Sequence, residues 1–260
     1  MRRLLNYLTK DTKVSQNPHT PLGSFGDSKT KVETFSGVFQ CLRNSILDFV
    51  KEAREQSLWD EPNLTQLLVQ NLMDEVKEEW LPFYFLRENL ERGGGNSPSN
   101  DFAAYMFRPK RRNQPRQDEQ NPTRIPIIRF EAKRLDNRIP PSRMKEYAIG
   151  SYAKPQKPEN TGGIERFKNL THGRNDSDAA LVAYIQTDDV STWLSKVNSW
   201  IDAEIAYPND PVLVWQEEDK LLEATAKSLF LDEFTSRSQR PLGAPIHLHH
   251  FWIRMYQAPT

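Results

Sequence analysis

The segment Ile125-Pro-Ile-Ile-Arg-Phe-Glu131-Ala-Lys133-Arg-Leu135 limits the choice of fold more than any other. It reads as an apolar strand that ends in a carboxylate and an ammonium two residues apart. Strand side chains alternate faces, so Glu131 and Lys133 project from the same side of a sheet. A buried strand has no packing reason to end on two opposite charges on one face. Metal-dependent phosphodiester cleavage gives such a pair work to do. The glutamate holds Mg²⁺, while the lysine orients or activates the attacking water and offsets phosphate charge. Taken alone, Glu-x-Lys is common and marks a solvated strand end, so the rest of the chain has to decide.

The chain has 260 residues, enough for one domain with a substantial core or a domain with an appendage. Its 35 basic and 35 acidic residues cancel, so no global field draws in nucleic acid, and any such binding needs a local patch. Cys41 is the only cysteine, which excludes an internal disulfide and a multi-cysteine zinc site. The first ten residues lack the apolar core of a signal peptide. No run reaches the ~20 apolar residues of a membrane helix. The expectation is a soluble cytoplasmic protein without membrane attachment, in which Asn63, Asn169 and Asn175 carry no meaning as glycosylation sites.

Residues 1–34 are expected to form a polar N-terminal arm, followed by a single domain over 35–260. From Phe35, apolar residues recur at helical spacing through Val38, Phe39, Leu42, Ile46, Phe49 and Val50. A second helix begins near Asp60, a good N-cap, with Pro62 in the first turn and Leu64, Leu67, Leu68 and Leu72 on its core face. Strands follow at Phe83–Leu86 and Asp101–Phe107, separated by a Gly-Gly-Gly-Asn-Ser-Pro-Ser-Asn turn. Residues 108–124 read as a long polar loop carrying Arg108, Lys110, Arg111, Arg112 and Arg116, either a phosphate-gripping loop or a solvated hairpin tip. Beyond Lys133 come a short helix near Gly163–Leu170 and an apolar strand at Ala179–Gln186. A helix capped by Asp188 or Asp189 then carries Val190, Trp193, Leu194, Val197, Trp200 and Ile201 on one side. The tail reads as a helix near Glu217–Ala226, a strand around Ser228–Leu231 and a last strand from Ile246 to Met255.

This order resembles the PD-(D/E)XK nuclease superfamily, the restriction-endonuclease-like fold. The resemblance rests on Glu61-Pro-Asn-Leu-Thr-Gln opening a helix, on Asp101, on Phe130-Glu-Ala-Lys-Arg-Leu135, and on Gly163-Ile-Glu-Arg-Phe167 before a small-residue strand. Pro245-Ile-His-Leu-His-His-Phe251 looks like the closing strand of uncharacterised prokaryotic members. The resemblance covers about residues 61–186. It implies an α/β fold in which helices flank a mixed central sheet (an αβββαβ core), with a helical N-terminal addition and an α/β C-terminal one. It further implies a metal-dependent endonuclease cleaving DNA, in prokaryotic defence or DNA processing, acting as a homodimer or with a partner subunit.

Carried onto this chain, the resemblance makes Asp101, Glu131 and Lys133 catalytic. Asp101 and Glu131 would hold Mg²⁺ (or Mn²⁺), Glu61 would add an outer or second-metal ligand, and Lys133 would contact the scissile phosphate or the water. Arg108, Lys110, Arg111, Arg112, Arg134 and Arg166 are the candidate nucleic-acid contacts, and His172 is a weaker one. Two positions depart from the family pattern: Asn100 stands where a proline precedes the aspartate, and the interval from Asp101 to Glu131 is long. Asp118, a rival aspartate, falls in the polar loop.

His247 and His249 share a strand face at a spacing that suits zinc, but no cysteine completes a site. The glycines at 93–95 lack the Gly-Lys-Ser/Thr ending of a phosphate loop, and no Gly-x-Ser-x-Gly elbow occurs. Cys41, Trp193 and Trp200 fall on apolar helical faces as core or interface residues. The competing reading is a non-catalytic interaction protein that keeps the fold as a scaffold, with the Trp-bearing helix as its docking face.

Overall fold

The computed structural model describes residues 28–87, 101–107, 125–154, 157–160, 162–222 and 226–256. The helical spacing of the N-terminal third becomes α1 (Ser28–Glu55) and α2 (Glu61–Glu78), which pack on each other. Asp60 caps α2 by accepting from the Asn63 amide, and Pro62 sits in the first turn, where no intrahelical donor is needed. α1 starts at Ser28, inside the stretch expected to be a polar arm. The apolar stripe from Val38 to Val50 is what docks it, and the polar residues ahead of that stripe extend the same helix.

Described next are β1 (Phe83–Arg87), β2 (Phe102–Met106) and β3 (Ile128–Leu135), then α3 (Pro141–Met144) and the hairpin β4 (Ser151–Lys154) and β5 (Lys157–Asn160). The chain continues through α4 (Gly163–Lys168), β6 (Asp178–Ile185), α5 (Val190–Ala206), β7 (Ala226–Lys227), β8 (Leu231–Ser238) and β9 (Ile246–Arg254). Among the described residues seven strands form one mixed sheet in the order β1-β2-β3-β6-β9-β8-β7, so the molecule is mixed α/β. β2 runs antiparallel to β3, while β6 runs parallel to both β3 and β9. The central parallel strand β6 is buried on both faces, and its near-continuous apolar run follows from that.

The sheet divides two cores. On one face α1 and α2 cover Phe85, Phe102, Phe130, Ala132, Val182 and Phe251. On the other, α4, α5 and the segment from Leu213 to Leu221 cover Leu135, Leu181, Ala183, Leu248 and Trp252. Trp193 is fully buried there, Trp200 lies edge-on to it at 6.4 Å, and Cys41 is buried in the first core. Among the described residues no helix is long and apolar enough to cross a membrane.

The tail departs from expectation. In place of the helix expected near Glu217–Ala226 the described residues make a short 3-10 turn over Glu217–Asp219, where Asp219 pairs with buried Lys168, and a strand at Ala226–Lys227, while residues 223–225 lie outside the described residues. The strand expected around Ser228–Leu231 is instead the connection from β7 to β8, and β8 runs on to Ser238.

Candidate active site

Glu131 and Lys133 lie on the same face of β3, as the alternation requires, and that face is the one α4 covers. Glu131 is fully buried and Lys133 nearly so, with Lys133 Nζ 2.7 Å from Glu131 Oε1. Among the described residues β2 pairs with β3 as far as Phe102↔Phe130. Beyond that point carboxylates meet the amides of β3. Asp101 Oδ2 accepts from the Ala132 amide at 2.6 Å, and Glu61 Oε2 accepts from the Arg134 amide at 3.2 Å. Glu61 also approaches Lys133, with Oε1 3.7 Å from Nζ. The sheet edge therefore gathers Glu61, Asp101, Glu131 and Lys133, the four residues singled out as catalytic or metal-holding.

Arg166 joins them from α4, donating to Glu131 Oε1 at 2.5 Å. Two glycines make this approach feasible. A Cβ on Gly162 would lie 2.3 Å from the Ile149 amide nitrogen, and one on Gly163 would lie 2.7 Å from the Tyr147 carbonyl and 2.9 Å from Leu181. The Gly-Gly pair before Ile164 thus lets α4 sit directly against the backbone and the Glu131 strand. Glu165 fastens the start of α4 by accepting from the Gly150 amide at 2.6 Å and from the Tyr152 hydroxyl.

The electrostatics are those of crowded carboxylates with cations among them. Burial and the neighbouring Glu131 charge push Asp101 up to about 6, against the pull of Lys133. Burial also raises Glu61, with Asp101 adding to it and Lys133 opposing. For Lys133, burial disfavours the ammonium, but Glu131, Glu61 and Asp101 together overcome it and hold the group protonated well above its ordinary range. Lys133 is therefore a fixed positive charge and not a free base.

His172 stands beside this cluster, fully buried, with Nε2 3.7 Å from Glu131 Oε2. Burial and the charges of Arg166, Lys133 and Arg129 push it down to about 3. Glu131 Oε2 and both ring nitrogens of His172 are buried with no hydrogen-bond partner.

Of the other expected residues, Arg134 gives its amide to Glu61 and its guanidinium to the Trp59 carbonyl at 3.4 Å. Arg108, Lys110, Arg111, Arg112 and Asp118 lie outside the described residues. The histidines of β9 are split. His249 is 3.5 Å from Asp178 and packs on Phe39, while His250 is buried between Tyr147 and Ser236. Among the described residues no group of three or more His, Cys, Asp and Glu side chains is gathered as a metal cage. That arrangement suits zinc poorly, but Mg²⁺ takes one or two carboxylates and fills its remaining positions with water and substrate oxygens. The hard oxygen donors of Asp101 and Glu131, the unmet Oε2, and an Asp101 raised by burial and then by its neighbour's charge all fit such a cation.

No protein-family model matches the chain, and no curated protein or solved structure is significantly similar to it.

Proposed function

We propose that the chain is a metal-dependent nuclease with a restriction-endonuclease-like core, hydrolysing phosphodiester bonds in DNA. The observation that carries this reading is the buried Glu131–Lys133 pair at a strand edge where Asp101 and Glu61 accept from the amides of β3. A plain solvated strand end would leave the charges in water. Here Glu61 and Glu131 face Lys133, and Arg166 meets Glu131, in a nearly closed setting. The order α2, β1, β2, β3, α4, β6, with α3 and the β4–β5 hairpin inserted before α4, and with β2 antiparallel and β6 parallel to β3, supports the same reading.

Asp101 and Glu131 would hold the Mg²⁺, with Glu61 as an outer ligand. When bound, the ion supplies Lewis-acid stabilisation of the phosphate and a more acidic water. The chain's own contribution is positioning and charge. Lys133, held protonated and aimed between Glu131 and Glu61, is placed to bind a phosphate oxygen and to stabilise negative charge as it builds. Arg166, partly exposed at the same carboxylate, offers a second cation to the substrate. Arg134 stands at the same edge.

One observation favours a second reading. Glu131 Oε1 already accepts from both Lys133 and Arg166, as it would in a scaffold that uses these charges to lock α4 on the sheet. A nuclease awaiting a partner subunit would have the same closed pairs until the partner or substrate drew the cations away.

The deciding experiment incubates plasmid and linear DNA with Mg²⁺, Mn²⁺ or EDTA, using wild type and Glu131→Ala/Lys133→Ala. The expected outcome is metal-dependent cutting that falls about 100-fold or more in the double variant. Folded wild type that neither cuts nor binds divalent metal would establish the scaffold reading instead.

A further inference from the structure

The turn after α4 brings His172, whose ring nitrogens the chemistry above leaves unused, against the open oxygen of Glu131 on β3. Glu131 Oε2 and the two ring nitrogens of His172 are buried without hydrogen-bond partners, and Nε2 faces Oε2 at 3.7 Å. Unmet polar atoms in a dry interior are costly, so a pair of them facing each other calls for a reason.

The fold holds His172 there firmly. Its own amide donates to the Arg166 carbonyl at 2.9 Å. Buried Arg240 donates to the carbonyls of Phe167, Gly173, Arg174 and Asp176, gripping the turn on both sides of His172. Asp176 is in turn paired with Arg129 at 2.8 Å. Leu170 and Gly173 take left-handed backbone conformations, φ 65° and 57°, to make the turn tight enough.

Three occupants of the gap can be weighed. A metal cation between Oε2 and Nε2 would meet the charges of Lys133, Arg166 and Arg129, which already surround the imidazole. A bridging water would need two bonds of about 2.8 Å. Across a 3.7 Å gap they would meet at a little under a right angle, narrower than a water's tetrahedral directions. With the imidazole held, a direct bond needs the Glu131 carboxylate to close on it by about 0.9 Å.

We propose that His172 is a positioning residue, donating its Nε2–H to Glu131 Oε2 and so fixing which oxygen of Glu131 faces Lys133 and Arg166. A neutral donor is suited to this task. It stops the carboxylate from rotating without adding a third positive charge, and the remaining lone pair of Oε2 stays open to a cation. The consequence for metal binding rests on the nuclease reading; the hydrogen bond does not.

The test has a metal-free arm and a metal arm. In the first, ¹⁵N spectra of the histidine side chains are compared between wild type and Glu131→Ala. The expected result is a neutral His172 protonated on Nε2, whose signal moves in Glu131→Ala. Protonation on Nδ1, or a signal indifferent to Glu131→Ala, would overturn the proposal. In the second, Mn²⁺ binding is titrated calorimetrically for wild type, His172→Leu and His172→Gln. His172→Leu should weaken binding roughly 10- to 100-fold, as the loss of an outer-shell partner does elsewhere. His172→Gln, which returns a donor near the Nε2 position, should recover most of the loss. Folded His172→Leu with wild-type affinity, or a folded His172→Gln no better than His172→Leu, would overturn the proposal. If His172→Leu does not fold, His172→Gln and the nitrogen spectrum carry the test. Wild type that binds no Mn²⁺ would remove the nuclease reading, and the nitrogen spectrum would still decide the bond.

Discussion

Fully buried His250 lies with Nδ1 2.6 Å from the Tyr147 hydroxyl and Nε2 2.9 Å from the Ser236 hydroxyl. Trp252 Nε1 donates to the same tyrosine oxygen at 2.8 Å. Both ring nitrogens are therefore met, which a neutral imidazole achieves with one as donor and the other as acceptor. Burial, with a smaller contribution from His249, pushes His250 down to about 3. The sign follows directly. As pH falls below about 6.5, the unfolded chain takes up a proton at this residue and the folded chain does not, so stability is lost with acid until about 3. His250 alone should contribute a slope of about 1.4 kcal/mol per pH unit across that window. Urea unfolding of wild type and His250→Gln at several pH values between about 7 and 4.5 checks it. His250→Gln should be less stable at neutral pH but should lose less on acidification, and equal slopes would refute the assignment.

Among the elements, α4 is the one on which the candidate site depends, since it delivers Arg166 to Glu131 and leads into the His172 turn. Its docking relies on the absent side chain of Gly162, where a methyl would collide with the Ala148 carbonyl and the Ile149 amide at 2.5 and 2.3 Å. Backbone atoms cannot swing aside as a side-chain tip can. Gly162→Ala should therefore destabilise by about 1–3 kcal/mol, the usual cost of overpacking. It should also draw Arg166 away from Glu131. Thermal unfolding together with a crystal structure of the variant would show both, and an unchanged melting temperature would mean that α4 is less tightly seated than described. The parts of this arrangement that were legible in the sequence are the local ones. Strand alternation put Glu131 and Lys133 on one face, and Asp60 with Pro62 announced the start of α2 beside Glu61. Asp101 at the head of an apolar strand was singled out only through the resemblance to the nuclease superfamily. What local pattern could not carry was which distant groups meet them. Nothing in Gly-Ile-Glu-Arg-Phe says that its arginine reaches a glutamate 35 residues away, or that the histidine beyond turns back onto the same carboxylate. β8 was misplaced for a related reason. The expected strand stopped at Leu231, where Asp232 and Glu233 follow, yet this acidic pair is buried against Arg254 and Arg43, contributed by other elements.

On the scale of the whole molecule, the end of α4 is tied to the C-terminal region by an ion pair with no exposed side-chain surface. Lys168 Nζ lies 2.9 Å from both oxygens of Asp219, donates to the Gln239 carbonyl at 3.0 Å and stands 5.0 Å from the centre of the Trp215 ring. Asp219 also accepts from the Gln216 amide at 2.7 Å. Burial works against both charges, lowering Lys168 and raising Asp219, with each partner pulling the other back. The pair is thus better understood as a connector than as a large source of stability. It fixes where the segment before β7 returns to the helix that carries Arg166. Removing one partner and removing both charges should then differ sharply. Lys168→Met leaves Asp219 buried and unpaired and should cost about 3–5 kcal/mol. Lys168→Met/Asp219→Asn deletes the orphaned charge while keeping an acceptor for the Gln216 amide, and should recover a large part of that loss. Chemical denaturation of the three proteins decides the matter. If the double variant were as unstable as Lys168→Met, the attraction between the charges would itself be holding the C-terminal region to α4, and the connector reading would fail.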